Sequence, residues 1–145
     1  MSVNDRSAVE HILRCEYGGK RVLLVEDHRL NREVTAELLR NVGLVVDAAE
    51  NGIEAVAMAA RHSYDVILMD TLMPKMDGLK ATHAIRLLPG YGEVPIIALT
   101  GKALEADRAA CIAVGMNSYL LKPTPPEVLT AAVLEWLQKI PSSTD

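Results

Sequence analysis

The sequence has few aromatic residues: among 145 residues there is no phenylalanine, one tryptophan and four tyrosines. Half of the residues are nevertheless hydrophobic, so the core must be built from aliphatic side chains. Buried parallel strands and their covering helices have such cores, and the composition therefore favours an α/β fold. The length suits one domain and leaves no room for a second.

The sequence also lacks the features of several other protein classes. A net charge of −4 without a basic cluster argues against direct nucleic-acid binding. Cys15 and Cys111 are far apart and fit neither a disulfide framework nor a zinc site. No apolar run approaches the ~20 residues of a membrane span, and residues 1–20 do not form a secretory signal. A cytoplasmic protein, with no membrane contact by this segment, is predicted.

From Arg21 onward, short aliphatic runs alternate five times with helical patterns, as is typical of βα units that build a parallel sheet. Strands are predicted at 21–25, 44–48, 65–69, 94–99 and 118–121. Helices are predicted at 30–42, 52–61, 77–88 and 103–114, with a fifth after residue 124. In the first helix, Leu30, Val34, Leu38 and Val42 recur every four residues, which predicts that they form its buried stripe.

Residues 1–19 stand outside this alternation. They are interpreted as an N-terminal extension or linker with helical potential, and a packing helix, a dimerising helix and a cloning remnant remain as alternatives. The predicted division is therefore an extension at 1–19, a folded domain at 20–140 and a flexible tail at 141–145.

Charged and polar residues follow four of the five predicted strands. Glu26 and Asp27 follow the first strand, Asp70 the third, Thr100 the fourth and Lys122 the fifth. In an open parallel sheet, ligands bind beyond the carboxyl ends of the strands, so these side chains are expected to converge. Two carboxylates ~4 Å apart repel by about 4 kcal/mol at an effective dielectric constant near 20. Oxygen ligands of this kind suit Mg²⁺, which would relieve that repulsion.

Each of these residues alone has an ordinary explanation. Asp27 and Thr100 could cap helices, Lys122 could be a surface lysine, and His28 is interpreted as a helix-start contact rather than a ligand. Convergence at four strand ends instead favours a functional site.

Four segments together resemble a known family: Val22 to Asp27, Met69 to Gly78, Ala98 to Thr100, and Tyr119 to Pro123. From about residue 21 to residue 137 the chain is similar to the response-regulator receiver domains of two-component systems. It is most similar to those of hybrid sensor histidine kinases, which the segment 31–34 also resembles. The resemblance implies a flavodoxin-like, doubly wound (βα)5 fold with a five-stranded parallel sheet in the order 2-1-3-4-5. It also implies a cis peptide bond before Pro123.

The resemblance further implies a metal site. Asp27 and Asp70 match direct ligands of Mg²⁺, for which Mn²⁺ could substitute, and Glu26 matches a ligand that acts mainly through water. The backbone carbonyl of Leu72 matches the remaining protein ligand.

The same resemblance assigns roles in phosphorylation. Asp70 matches the phosphoacceptor, while Thr100 and Lys122 match the hydroxyl and the ammonium that contact the phosphoryl group. Tyr119 falls on an aromatic position that switches together with Thr100. The surface at 103–108 is the predicted output face, and a homodimer through the last two predicted helices is possible.

The function implied is a phosphorelay receiver that catalyses only its own phosphorylation and dephosphorylation. Its phosphodonor would be a histidine kinase or a histidine phosphotransfer protein, and the parent protein would be a hybrid, membrane-bound sensor kinase with this segment in the cytoplasm. Three alternatives remain: a stand-alone response regulator, a receiver that binds partners without phosphorylation, and an aspartyl-phosphate-forming Mg²⁺ phosphatase. The phosphatase alternative is disfavoured, because such enzymes resemble a DxD pattern around the nucleophile and here Leu72 occupies the position of the second Asp.

Overall fold

Six helices and five strands alternate in the computed structural model, which describes residues 6–71, 73, 76–101 and 105–139. The strands are β1 (Arg21–Val25), β2 (Val45–Ala49), β3 (Val66–Asp70), β4 (Ile96–Thr100) and β5 (Ser118–Leu121). The helices are α1 (Arg6–Glu16), α2 (Arg29–Asn41), α3 (Gly52–Arg61), α4 (Gly78–Arg86), α5 (Glu105–Ala113) and α6 (Pro126–Lys139). Among these residues, no helix is long and apolar enough to cross a membrane.

The strands form one parallel sheet in the order β2-β1-β3-β4-β5, which confirms the predicted fold and strand order. β3 and β4 are buried along their whole length, because helices cover both faces of the sheet. One face packs against α1, α2 and α6, and the other against α3, α4 and α5. The carboxyl ends of all five strands therefore point to the same edge.

Three of the helices begin at side chains that accept hydrogen bonds from the first helical turn. Asn51 caps α3 by accepting from the Glu54 amide at 2.8 Å, and Asp77 caps α4 by accepting from the Lys80 amide at 2.9 Å. His28 caps α2 through Nδ1, which accepts from the Asn31 amide at 3.4 Å. These caps satisfy amides that a helix leaves free at its start. The prediction that His28 makes a helix-start contact is confirmed.

The buried face of α2 differs from the predicted stripe. Ala36 and Leu39 enter the core, followed by Val42 just after the helix, whereas Leu30 is 63% exposed and Val34 is 60% exposed. The prediction was wrong for Leu30 and Val34, because spacing identifies an apolar row but not which of two adjoining rows meets the sheet. As a result, two large aliphatic side chains lie on the outer surface of α2.

Helix α1 packs against α6 on one face of the sheet. Val9 is 3% exposed and Leu13 is fully buried, and both belong to the same apolar cluster as α2 and α6. The helix ends where Gly18 and Gly19 lead into β1. The division of the chain at residue 19 stays a prediction.

Candidate functional site

The polar residues that follow the strands meet at one edge of the sheet, as their positions predict. Asp70 is the last residue of β3 and Thr100 the last of β4. Glu26 follows β1 directly, and Lys122 follows β5. Glu26 and Asp70 are each only 3% exposed, because neighbouring strands flank them on both sides.

Three carboxylates form the centre of this site. Glu26, Asp27 and Asp70 each place an oxygen so that all three oxygens lie within 4.8 Å of one another. Asp27 is exposed and gives the group an opening to solvent. Like charges at such distances repel by several kcal/mol, and a hard divalent cation with oxygen ligands removes that repulsion. One or two carboxylates with open positions for water suit Mg²⁺, so this donor set fits the ion.

Lys122 supplies the opposite charge within the described site. Its Nζ lies 2.8 Å from Glu26 Oε1 and 2.9 Å from Asp70 Oδ2. Burial alone would lower the pKa of the Lys122 ammonium, but its hydrogen bonds to these two carboxylates outweigh burial and raise that pKa. The ammonium is therefore held in its charged form beside Asp70. The peptide bond between Lys122 and Pro123 is cis, as the resemblance implied.

Thr100 joins this edge from β4. It is 2% exposed, and its carbonyl accepts from the Lys122 amide at 2.7 Å. A cavity of about 110 Å³ lies between Thr100 and α5. Its other lining residues are Thr71, Asp77, Leu79, Asp107, Ala110 and Cys111.

Tyr119 lies one step back from the edge. It pairs with Ala98 of β4, two residues before Thr100. Because alternate residues of a strand share a face, Tyr119 and Thr100 lie on the same face of the sheet, and Tyr119 packs into the cluster that contains Cys111.

A second opening adjoins Lys122 on the other face of the sheet. A groove of about 400 Å³ runs between α2 and the start of α6 and includes Glu26 and Lys122 in its wall. The exposed side chains of Leu30 and Val34 also line it. Sequence reasoning missed this feature, because it placed both residues in the core.

Five predicted site residues thus come together: Glu26, Asp27, Asp70, Thr100 and Lys122. Their chemical roles, and that of Tyr119, stay predictions. The predicted ligand carbonyl of Leu72 lies outside the described residues, as do residues 102–104, so only 105–108 of the predicted output surface are described.

Comparisons with known proteins identify related domains. A model of the response regulator receiver domain matches residues 22–134. Hybrid signal transduction histidine kinase B from Dictyostelium discoideum is 41% identical over 115 residues, which cover 72% of this chain and 6% of that kinase. The chain likewise spans between 12% and 19% of seven further curated relatives.

Two solved structures show the same architecture. The receiver domain of a Pseudomonas aeruginosa sensor histidine kinase has a TM-score of 0.79 and 43% identity, covering 84% of this chain and 100% of that domain. It was crystallised with a magnesium ion coordinated in its active site cleft. The chemotaxis protein CheY4 from Vibrio cholerae also has a TM-score of 0.79, with 32% identity over 81% of this chain and 98% of its own.

Proposed function

The chain belongs to the response regulator receiver domain family, and from this membership we propose that Asp70 accepts a phosphoryl group from a phosphohistidine on a partner protein. The observation that carries the proposal is the position of Asp70, whose buried carboxylate lies between two further carboxylates and the Lys122 ammonium. Such a site activates a carboxylate for in-line transfer through positioning and charge neutralisation.

In the proposed reaction, an Asp70 carboxylate oxygen forms a bond to phosphorus while the bond from phosphorus to the imidazole nitrogen breaks. The imidazole keeps the electron pair of that bond, and the product on this chain is an aspartyl phosphate. Lys122 stabilises the charge on the phosphoryl oxygens, since its ammonium already lies 2.9 Å from Asp70 Oδ2.

Glu26, Asp27 and Asp70 would hold Mg²⁺ in this site, and the Leu72 carbonyl is the further ligand proposed from the family. When bound, the ion supplies positive charge that neutralises the phosphoryl oxygens. Support comes from the oxygen donors within 4.8 Å of one another and from the magnesium ion in the related Pseudomonas aeruginosa receiver. Mn²⁺, which accepts the same ligands, is expected to substitute.

The phosphodonor must bring its histidine to the exposed mouth of the site, so its docking surface must adjoin Asp27 and Lys122. The groove beside Lys122 has this position, and Leu30 and Val34 give it an apolar surface. We assign it to a histidine kinase or a histidine phosphotransfer protein. The similarity to a segment of a hybrid kinase supports a parent protein of that class, with this domain in the cytoplasm.

Phosphorylation of purified protein tests this function. With Mg²⁺ and acetyl phosphate, intact-mass spectrometry is expected to show one added phosphoryl group, and Asp70→Asn is expected to show none. Asp65→Asn is the matched control, because Asp65 lies at the opposite end of β3, where it accepts from the Arg21 amide, and it should leave the adduct in place. An adduct that persists in Asp70→Asn, or rapid turnover of small phosphate esters by the wild-type protein, would refute the proposal.

A further inference from the structure

Arg32 reaches back from the first turn of α2 to the loop that carries the acidic pair. Its Nη1 donates to the Glu26 carbonyl at 3.0 Å and to the Asp27 carbonyl at 3.4 Å. The side chain is half-buried, as is its contact with Glu26. Both carbonyls precede the helix, so neither accepts a bond within it.

The two acidic residues differ in how firmly they are held. Glu26 is held on three sides: its amide donates to the Ala49 carbonyl, Oε1 pairs with Lys122, and Oε2 accepts from the His28 amide at 3.0 Å. The carboxylate of Asp27 is exposed and receives no hydrogen bond or ion pair from the described residues. The direction in which that carboxylate points therefore depends on its backbone, and Arg32 is the described side chain that contacts this backbone.

We propose that Arg32 is a positioning residue for the divalent cation: by binding the Glu26 and Asp27 carbonyls, it fixes the loop so that Asp27 meets the ion. The inference rests on the proposed function, since it requires Mg²⁺ to bind among Glu26, Asp27 and Asp70. Partners that orient metal ligands in this way typically change metal affinity by about 10- to 100-fold when they are removed.

The positioning role and simple electrostatics predict opposite effects. Arg32 carries a positive charge close to a cation site, so removing that charge should tighten Mg²⁺ binding if only the charge matters. If Arg32 positions the loop, removing it should weaken binding, because Asp27 then loses its orientation. The sign of the change in Kd separates the two.

The test is a calorimetric titration of Mg²⁺ into the full chain, without a phosphodonor. Arg32→Met is expected to raise the Kd for Mg²⁺ by about 10-fold or more. Arg32→Lys, which keeps the charge and can still donate to one carbonyl, is expected to fall between Arg32→Met and wild type. Arg29→Met is the matched control, because Arg29 lies in the same turn but pairs with the exposed Glu33 at 3.1 Å; its Kd should equal the wild-type value or fall slightly below it.

Circular dichroism without Mg²⁺ identifies which variants are folded, and Arg32→Lys keeps the test decisive if Arg32→Met does not fold. A Kd unchanged or lowered in the folded Arg32 variants overturns the positioning role alone. Two results would overturn both this role and the metal site of the proposed function. The first is that wild-type protein does not bind Mg²⁺, and the second is that Asp70→Asn binds Mg²⁺ as tightly as wild type.

Discussion

Two threonines are fully buried in helices, and they differ in whether the hydroxyl has a partner. Thr130 on α6 donates to the Pro126 carbonyl at 3.0 Å. Thr82 on α4 has no hydrogen-bond partner for its hydroxyl among the described residues. A buried polar group without a partner destabilises the folded state by about 1–3 kcal/mol. At the scale of single residues, the buried Thr82 hydroxyl is therefore expected to lower the free energy of unfolding.

Replacing each threonine by valine, which has nearly the same shape, tests this difference. Thr82→Val is expected to raise the free energy of unfolding by about 1 kcal/mol, since it removes a hydroxyl that forms no bond. Thr130→Val is the control and is expected to lower that free energy by about 1 kcal/mol, since it removes a hydrogen bond. Urea unfolding measures both, and equal changes in the two variants would contradict the prediction.

The convergence of the predicted site residues could be expected from the sequence, because each follows a strand and parallel strands bring their carboxyl ends to one edge. Glu26, Asp70 and Lys122 could be placed from strand order alone. Arg32 could not, because its contact depends on the path of a long side chain back across a turn. The sequence does show a basic residue one helical turn after the acidic loop. Its spacing does not reveal that the side chain points back toward that loop.

At the scale of elements, α4 begins in direct contact with the backbone of Asp70 and Thr71. A Cβ atom at Gly78 would lie 2.3 Å from the Asp70 carbonyl oxygen and 2.9 Å from the Thr71 Cα. The Gly78 amide also donates to the Thr71 carbonyl at 3.2 Å. The start of α4 and the end of β3 can approach this closely only because residue 78 has no side chain.

Gly78→Ala is expected to lower the free energy of unfolding by about 3 kcal/mol, because the new methyl group clashes with backbone that cannot move aside. Helix propensity alone predicts that the free energy of unfolding rises by up to about 1 kcal/mol. The sign of the measured change therefore separates the steric clash from helix propensity. Gly92→Ala is the control, because a Cβ there meets no atom within 4 Å, and it should be neutral or slightly stabilising. A Gly78 variant as stable as wild type in urea would show that the contact can relax.

Element boundaries from the sequence were close to the observed ones. Predicted β1 and β5 match the observed strands, and predicted β2 and β3 begin one residue early. The prediction was wrong about which face of α2 is buried, since Leu30 and Val34 lie on its exposed face. Their spacing fitted a core stripe because the groove beside the site is also lined by apolar side chains, and periodicity does not distinguish a covered apolar face from an exposed one.

At the scale of the whole molecule, strand pairing connects Asp70 to the far edge of the sheet through Thr100. Asp70 pairs with Leu99 of β4, and Thr100 pairs with Leu121 of β5. Thr100 also borders the cavity of about 110 Å³ against α5. A phosphoryl group on Asp70 would draw the Thr100 hydroxyl toward it, and this shift would change the space available to the Tyr119 ring. Such a local event can bias a two-state surface.

Thr100→Val tests this connection because it removes the hydroxyl and keeps the shape. Asp70 should still take a phosphoryl group from acetyl phosphate, since its carboxylate and Lys122 remain. In wild-type protein, phosphorylation is expected to shift the amide NMR signals of α5 and β5, and in Thr100→Val most of that remote shift should disappear. Thr82→Val, which removes a hydroxyl that has no partner among the described residues, should keep the wild-type shifts. Remote shifts of wild-type size in phosphorylated Thr100→Val would mean that the signal reaches α5 without the Thr100 hydroxyl and would contradict the prediction.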